Sequence, residues 1–197
     1  MIPRLTQVDA IEKDYLSFLT ALESSSFKGD IETTYASRFS VSTDNSVYQS
    51  LPQAVVLPKD MDDLVAITEL ASQAEFSTIK FSPRGGGTGT NGQSLTSGIV
   101  VDISRHMNKI LDFNKEEAWV KVQAGVVKDQ LNAFLKPHGF FFAPDLSTSN
   151  RATIGGMVST DASGQGSLVY GKTSDHVLGL TSVLINGDVL ETHKMPI

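Results

Sequence analysis

A glycine-rich loop separates two apolar segments, and its sequence is Pro83-Arg84-Gly85-Gly86-Gly87-Thr88-Gly89-Thr90-Asn91-Gly92. Glycine tolerates positive φ angles and lets the backbone approach a ligand closely. The consecutive N–H groups of such a loop can point into one concavity and hold a diphosphate. A flexible linker would explain the composition too, but strands rarely enclose a linker so closely. The loop therefore predicts a diphosphate site, to which Arg84 adds either charge or local order.

The segments around this loop alternate between strand and helix patterns. Ala54–Leu57 and Ile99–Ile103 are short apolar strands, and Thr78–Phe81 is a third, just before the loop. A helix over 61–71 begins after Asp60, a residue type that caps helix N-termini well. The order β–α–β–loop–β predicts that the three strands run parallel.

Beyond residue 104 the pattern favours antiparallel hairpins. The paired segments are Ile110–Phe113 with Trp119–Val122, and Leu178–Ile185 with Val189–Glu191. Two helices lie between the hairpins, one over 127–135 and a shorter one over 154–160 that is entered through Thr153.

These elements together predict an α+β fold. A small parallel βαβ lobe, about residues 51–104, packs on a larger mixed or antiparallel sheet lobe, about residues 105–197, with flanking helices. The two lobes form one predicted domain over 51–197. Residues 1–50 are predicted to be an N-terminal helical extension, because apolar residues recur at helical spacing. These residues are Val8, Ile11, Tyr15, Phe18, Leu19 and Leu22.

The composition restricts the class of protein. The 197 residues are 40% apolar and carry a net charge of −6, which argues against a nucleic-acid partner. The absence of cysteine excludes disulfides, thiolate nucleophiles and iron–sulfur ligands within this sequence. No segment approaches the ~20 apolar residues of a membrane-spanning helix. We therefore predict a cytoplasmic protein, or one peripheral to the membrane as part of a longer relative.

Histidine spacing gives no sign of a metal site. The histidines are His106, His138, His176 and His193. None has metal-ligand spacing to another histidine or to a nearby acidic pair, so no metal ligand is assigned.

Two familiar phosphate-binding motifs occur, and their contexts argue against both. Gly87–Gly92 fits the G-x-G-x-x-G fingerprint, but that motif needs a helix directly after the loop. Only Gln93–Ser97 intervenes before the next strand. Gly166–Thr173 fits the P-loop G-x-x-x-x-G-K-[ST], but no apolar strand precedes it and no long helix follows it. The first loop can still bind phosphate without the Rossmann context.

A second glycine group lies far along the chain, in Ala152–Gly156 and Asp161–Gly164. Small residues there could let backbone amides and hydroxyl groups reach a ligand. Tight packing of a helix on a strand requires glycine equally often, so both interpretations stay open. Two glycine groups so far apart in sequence suggest one ligand that is held from two sides.

Segments spread over residues 43–192 resemble the FAD-binding fold of the vanillyl-alcohol-oxidase/p-cresol-methylhydroxylase family. They are Pro83–Gly89, Val100–Met107, Val122–Val126, Ala152–Met157, Tyr170-Gly171 and His176–Leu180. Their order is more specific than either short motif. The similarity is greatest to the large FAD and iron–sulfur dehydrogenases that act on D-2-hydroxyglutarate, D-lactate or glycolate.

This resemblance implies a set of FAD contacts in both glycine groups and beside them. The implied residues are Arg84, Gly85, Gly86, Gly87, Thr88, Gly89, Thr90, Pro144, Ser149, Thr153, Ile154, Gly155, Gly156, Asp161, Ala162, Ser163, Gly164 and Val177. The FAD would be noncovalent, because Thr88 stands where covalent members often carry histidine and threonine cannot form that bond. Asp161 stands where many relatives have asparagine.

The resemblance also implies an oxidoreductase that transfers hydride from a D-2-hydroxyacid to flavin N5. In relatives the substrate-binding cap domain and the iron–sulfur cysteines lie in later regions. We therefore expect this chain to be a domain fragment without catalytic residues, inactive alone, whose partners are FAD and a 2-hydroxyacid held by the cap domain. A flavin-binding or interaction module without turnover is the alternative, and a P-loop ATP-binding protein is a weaker one.

Overall fold

The computed structural model describes residues 10–193, so Val8 of the predicted first helix and residues 194–197 of the predicted second lobe lie outside it. The helices are α1 (Lys13–Glu23), α2 (Tyr35–Ser40), α3 (Met61–Ala71), α4 (Lys128–Leu135), α5 (Ile154–Ser159) and α6 (Ser167–Tyr170). The strands are β1 (Asp30–Glu32), β2 (Ala54–Leu57), β3 (Phe81–Arg84), β4 (Ile99–Asp102), β5 (Ile110–Asn114), β6 (Trp119–Val122), β7 (Gly179–Val183) and β8 (Val189–His193). Short 3₁₀ turns lie at Ala74–Phe76, Lys136–His138 and Thr173–His176.

The first lobe is built on a four-stranded sheet in the order β1-β2-β4-β3. Strands β2 and β3 both run parallel to β4, as the pattern of strands and helices predicted. Strand β1 pairs antiparallel with β2 at the far edge, where Ile31 lies opposite Val56. The mixed sheet and its helices confirm the predicted α+β class.

The strand before the glycine loop lies further along the chain than predicted. It spans Phe81–Arg84, so the prediction of a strand over Thr78–Phe81 was wrong in its bounds. Proline cannot donate to a ladder and is tolerated at a sheet edge, which is where β3 and its Pro83 lie. Because Arg84 is the last strand residue, the glycine loop leaves the sheet directly at the carboxyl end of β3.

One face of this sheet is covered by α1 and α3. Phe18 and Leu22 of α1 are fully buried in one cluster with Val56 of β2 and Ile67 of α3. The buried residues of α1 recur at spacings of three and four, so they form one apolar stripe. The predicted N-terminal extension thus shares a core with the first lobe, and a domain boundary at residue 50 stays a prediction.

The second lobe contains two separate two-stranded antiparallel sheets among the described residues, instead of one larger sheet. Strands β5 and β6 pack with α4 around the buried side chains of Val126, Leu131 and Leu135. Helix α5 is entered through its N-cap residue Thr153, as predicted, and the Thr153 hydroxyl accepts a hydrogen bond from the N–H of Gly156. Strands β7 and β8 form the predicted second hairpin.

We expect Asp63→Asn to lower the free energy of unfolding by about 2 kcal/mol. The carboxylate of Asp63 is fully buried and accepts hydrogen bonds from the N–H groups of Lys28, at 2.7 Å, and Lys59, at 2.8 Å. An asparagine amide would turn a donor toward one of these donors. Urea unfolding followed by circular dichroism measures the change.

The matched control is Asp62→Asn, because the Asp62 side chain is 78% exposed. Its effect should stay within ~0.5 kcal/mol, as is usual at the surface. Equal losses in the two variants would show that the hydrogen bonds to the buried carboxylate do not stabilise the fold.

Candidate functional site

The main feature of the site is a row of backbone N–H groups over residues 85–90. Within residues 10–193, none of these N–H groups donates to another protein atom. The next N–H group, that of Asn91, donates to Oε1 of Gln93 at 3.0 Å. Gly87 has a φ of +60°, in the region that favours glycine. Successive unpaired amides of this kind are donors available to an anion.

The two glycine groups of the sequence meet in the fold. A β carbon on Gly85 would overlap the Thr153 hydroxyl, and one on Gly86 would overlap the backbone carbonyl of Arg151. Glycine is required at both positions because the loop lies directly against residues 151–153. The two distant segments are thus in contact, and a single ligand that both segments hold stays a prediction.

Arg84 orders the loop through hydrogen bonds to a second segment. Its guanidinium donates to the carbonyl oxygen of Thr43 at 2.8 Å and to that of Val41 at 3.3 Å. A β carbon on Gly87 would overlap this guanidinium, so the loop rests on the Arg84 side chain. Burial lowers the pKa of Arg84 below its usual value, and the nearby Asp102 and Asp44 carboxylates partly offset this effect. Of the two roles considered for Arg84, ordering is the one that these contacts support.

Residues 41–49, which we call the clasp, fold back on the glycine loop. Thr43 and Gln49 form an antiparallel bridge that closes the clasp. The Asp44 carboxylate accepts a hydrogen bond from the hydroxyl of Ser94 at 3.2 Å, which joins the clasp to the far end of the loop. Tyr48 lies against Gly92, with its ring 3.1 Å from the position a β carbon would take. The polar sequence of this segment gave no structural signal, so sequence reasoning missed it.

An open cavity of about 360 Å³ lies beside the start of the glycine loop. Its walls come from both lobes, and the polar residues among them include Ser104, Asn108, Gln130, Asn150 and Arg151. None of these five was assigned from the sequence, because they come from separate segments and share no motif. The nearest available signal was their position within or near Val100–Met107, Val122–Val126 and Ala152–Met157.

Most N–H groups of the second glycine group donate hydrogen bonds within the protein. The N–H of Ile154 donates to Val126 O and that of Gly155 donates to Ala124 O, both at 2.8 Å. A β carbon on Gly155 would lie 2.7 Å from that of Ala124. Tight packing therefore explains this group in the fold, and its contacts with FAD stay predictions.

The loop after α5 is held by an ion pair. Asp161, at a φ of +45°, binds Nζ of Lys172 at 2.5 Å and accepts a hydrogen bond from the N–H of Ser174 at 3.0 Å. The Lys172 hydrogen bond lowers the pKa of Asp161 to about 2. A β carbon on Gly164 would overlap the carbonyl of Asp145, so packing requires glycine there too.

The remaining predicted contacts lie around this loop. Ala162 accepts a hydrogen bond from the hydroxyl of the buried Thr173 at 2.6 Å, and Ser163 is exposed. Pro144 is buried and Ser149 accepts from the N–H of Asp129 at 3.2 Å. Val177 lines a separate cavity of about 420 Å³ between the last 3₁₀ turn and the β7–β8 hairpin. The predicted residues thus do not all converge on one cavity.

The P-loop alternative gains no support from the geometry. Ser167–Tyr170 is a short helix where a phosphate loop should be, and a 3₁₀ turn follows where a long helix should begin.

We expect Lys172→Ala to leave FAD affinity within about twofold of the original, because an exposed ion pair contributes little. Calorimetric titration with FAD measures this affinity, and titration with Mg-ATP tests the P-loop alternative. Magnesium-dependent ATP binding that is lost in Lys172→Ala would support that alternative and contradict the FAD site.

The same ion pair has a defined pH window. The pKa of Asp161 is depressed, so its contribution is present above the ordinary value of 3.8 and lost as the pH falls toward about 2. The pKa of Lys172 is raised by Asp161, so its contribution is present below 10.5 and lost as the pH rises through the higher folded value. The difference in melting temperature between the original chain and Lys172→Ala should therefore be constant near neutral pH and shrink at both extremes.

The donor set at the glycine loop fits the diphosphate of FAD. The unpaired N–H groups of residues 85–90 can each donate to a phosphate oxygen, and the exposed Arg151 lies beside them.

Among the described residues, no cluster of His, Asp or Glu could hold a metal ion. No helix within residues 10–193 is long and apolar enough to cross a membrane.

Comparison with known proteins agrees with this fit. A family model described as an FAD binding domain matches residues 52–193. The chain is 62% identical over 196 residues to a D-2-hydroxyglutarate dehydrogenase of Pantoea ananatis and 60% identical over 197 residues to one of Escherichia coli. The matches cover 100% of this chain and 19% of each relative.

A solved structure shows the same fold at lower identity. An alkyldihydroxyacetonephosphate synthase superposes with a TM-score of 0.80 over 94% of this chain and 35% of the other, at 22% sequence identity. The family match, the loop with its unpaired N–H groups and the mixed sheet all agree. The chain therefore belongs to the family of FAD binding domains of the vanillyl-alcohol-oxidase/p-cresol-methylhydroxylase type.

Proposed function

We propose that this chain is the FAD-binding part of a dehydrogenase that oxidises D-2-hydroxyglutarate. The observation that carries the proposal is the identity of 60–62% along the whole chain to two proteins named for that reaction. The chain spans about 19% of the length of these relatives, so the substrate is inferred from them. The iron–sulfur cluster of the wider family stays a prediction for the longer protein, as does a cytoplasmic location.

The chain's own part in this reaction is to hold and orient the cofactor. Bound FAD supplies an acceptor for the hydride of the substrate C–H bond. The N–H groups of residues 85–90 bind the diphosphate, and the Arg84 hydrogen bonds to Val41 and Thr43 keep these groups aligned. A loop that is ordered before the ligand arrives loses less entropy on binding, which raises affinity.

We propose noncovalent attachment of the cofactor. Thr88 stands at the position where covalent members often carry histidine, and its hydroxyl does not attack the flavin ring. Denaturation of the flavin-loaded protein followed by filtration should release all of the flavin into the filtrate. Flavin that remains with the denatured polypeptide would show a covalent bond from another residue.

The activity itself is tested in the full-length polypeptide that carries this chain. D-2-Hydroxyglutarate should bleach the flavin absorbance near 450 nm under anaerobic conditions, as flavins do when reduced, and L-2-hydroxyglutarate should leave it unchanged. D-Lactate and glycolate separate the proposed substrate from those of the wider family. Bleaching by another 2-hydroxyacid alone would contradict the proposed substrate, and intact FAD that no 2-hydroxyacid reduces would favour a module without turnover.

A further inference from the structure

Arg151 lies at the junction of the two glycine groups. Its backbone carbonyl is the atom that a β carbon on Gly86 would meet, so its position is fixed relative to the glycine loop. The residue is exposed and lines the cavity of about 360 Å³ together with Gly85 and Gly86. A side chain anchored there lies beside the start of the row of unpaired N–H groups.

The guanidinium of Arg151 has no hydrogen bond or ion pair within residues 10–193. Two other cations of the segments around the cavity have partners within the protein: Arg84 donates to the clasp carbonyl groups, and Lys128 pairs with Asp145 at 3.5 Å. The exposed Asn150 and the side chain of Gln130 line the same cavity, and within the described part of the chain neither makes a hydrogen bond. A free positive charge therefore faces an open cavity with polar walls, in a chain whose net charge is −6.

We propose that Arg151 binds the diphosphate of the dinucleotide and gives the site its preference for FAD over flavins without phosphate. Backbone N–H groups are neutral donors, whereas a diphosphate carries negative charge on each phosphate. An arginine supplies the opposite charge and a planar pair of donors that matches two phosphate oxygens. The inference rests on the proposed binding of FAD and adds a charged residue that no motif in the sequence contains.

The test compares Arg151→Gln with Arg105→Gln in the 197-residue chain. Both variants remove one exposed arginine and change the net charge equally, but Arg105 does not line the cavity. Calorimetric titrations with FAD and with riboflavin, which lacks the diphosphate, separate a phosphate contact from a general loss of structure. Circular dichroism checks that each variant keeps its fold.

We expect Arg151→Gln to weaken FAD binding about tenfold, which corresponds to ~1.4 kcal/mol. The Arg105→Gln variant should bind FAD like the original chain, and riboflavin affinity should be the same in all three proteins. The loss of FAD affinity in Arg151→Gln, relative to the original chain, should shrink as the NaCl concentration rises from about 50 to about 500 mM, because salt screens exposed charges. Arg151→Lys keeps the charge without the paired donors, so its FAD affinity should lie between those of the original chain and Arg151→Gln.

Three outcomes would overturn the inference. FAD affinity unchanged in Arg151→Gln would overturn it while leaving the FAD site in place. An equal loss in Arg105→Gln would show an effect of net charge rather than a contact. Absence of FAD binding by the folded original chain would overturn the proposed function together with the inference, which distinguishes that failure from the first two.

Discussion

Gly86→Val should reduce FAD affinity by at least about a hundredfold, equivalent to ~2.7 kcal/mol. The substitution disturbs the packing within the protein as well as the contact with the ligand. A β carbon on Gly86 would overlap the backbone carbonyl of Arg151, and a backbone group cannot swing aside as a flexible side chain can. The loop must then separate from residues 151–153, and the N–H groups of residues 85–90 lose their alignment. Calorimetric titration of the variant with FAD measures the loss.

The control for this substitution is Gly166→Ala. Its β carbon would lie 3.3 Å from the ring of the exposed Tyr170, which can move at small cost, and Gly166 has an ordinary φ of −81°. FAD affinity should therefore stay within about threefold of the original, or ~0.65 kcal/mol. If folded Gly86→Val kept full affinity, the diphosphate could not lie on this loop.

Arg84→Met should lower the free energy of unfolding by about 3 kcal/mol, since each hydrogen bond to a charged group contributes ~1.5–3 kcal/mol. The change removes the donors to Val41 O and Thr43 O and the contact at 3.3 Å with the hydroxyl of Ser94. Methionine keeps the apolar volume, so the loss of stability measures the contribution of the guanidinium. FAD affinity should fall more than tenfold, because the clasp no longer holds the loop. Urea unfolding and titration with FAD measure the two effects.

A matched arginine elsewhere separates ordering of the loop from charge. Arg105→Met removes an exposed arginine outside the cavity and should change stability by less than ~0.5 kcal/mol. Arg84→Lys keeps the charge but cannot reproduce the forked donors, so we expect an intermediate loss. Full stability in Arg84→Met would mean that the clasp is held by other contacts, such as that of Asp44 with Ser94.

Most helices and strands of the fold could be predicted from local sequence patterns. Strand β2 shows why: Ala54 and Val56 face the core under α1 and α3, while Val55 and Leu57 join Val41 and Val100 on the opposite face. A strand buried on both faces is a continuous apolar run, and such a run is visible in one short window of sequence. The caps of α3 at Asp60 and α5 at Thr153 are equally local, because one hydroxyl or carboxylate suffices.

The features that sequence reasoning missed depend on contacts between distant segments. Strand β1 exists because Asp30–Glu32 pairs with β2, and its residues are only partly buried. The clasp depends on Arg84, which lies about forty residues further along the chain from the carbonyl groups it binds. Arg151 reaches the first glycine loop because Gly86 packs on its carbonyl group, and no spacing rule in the sequence encodes that contact.

The most direct test of an FAD site on the glycine loop is a calorimetric titration of the 197-residue chain with FAD, with FMN, NAD and Mg-ATP as controls. We expect saturable binding of FAD at concentrations at which none of the others bind, because the diphosphate and the flavin both contribute to affinity. Binding of Mg-ATP, or a folded chain that binds no FAD, would contradict it.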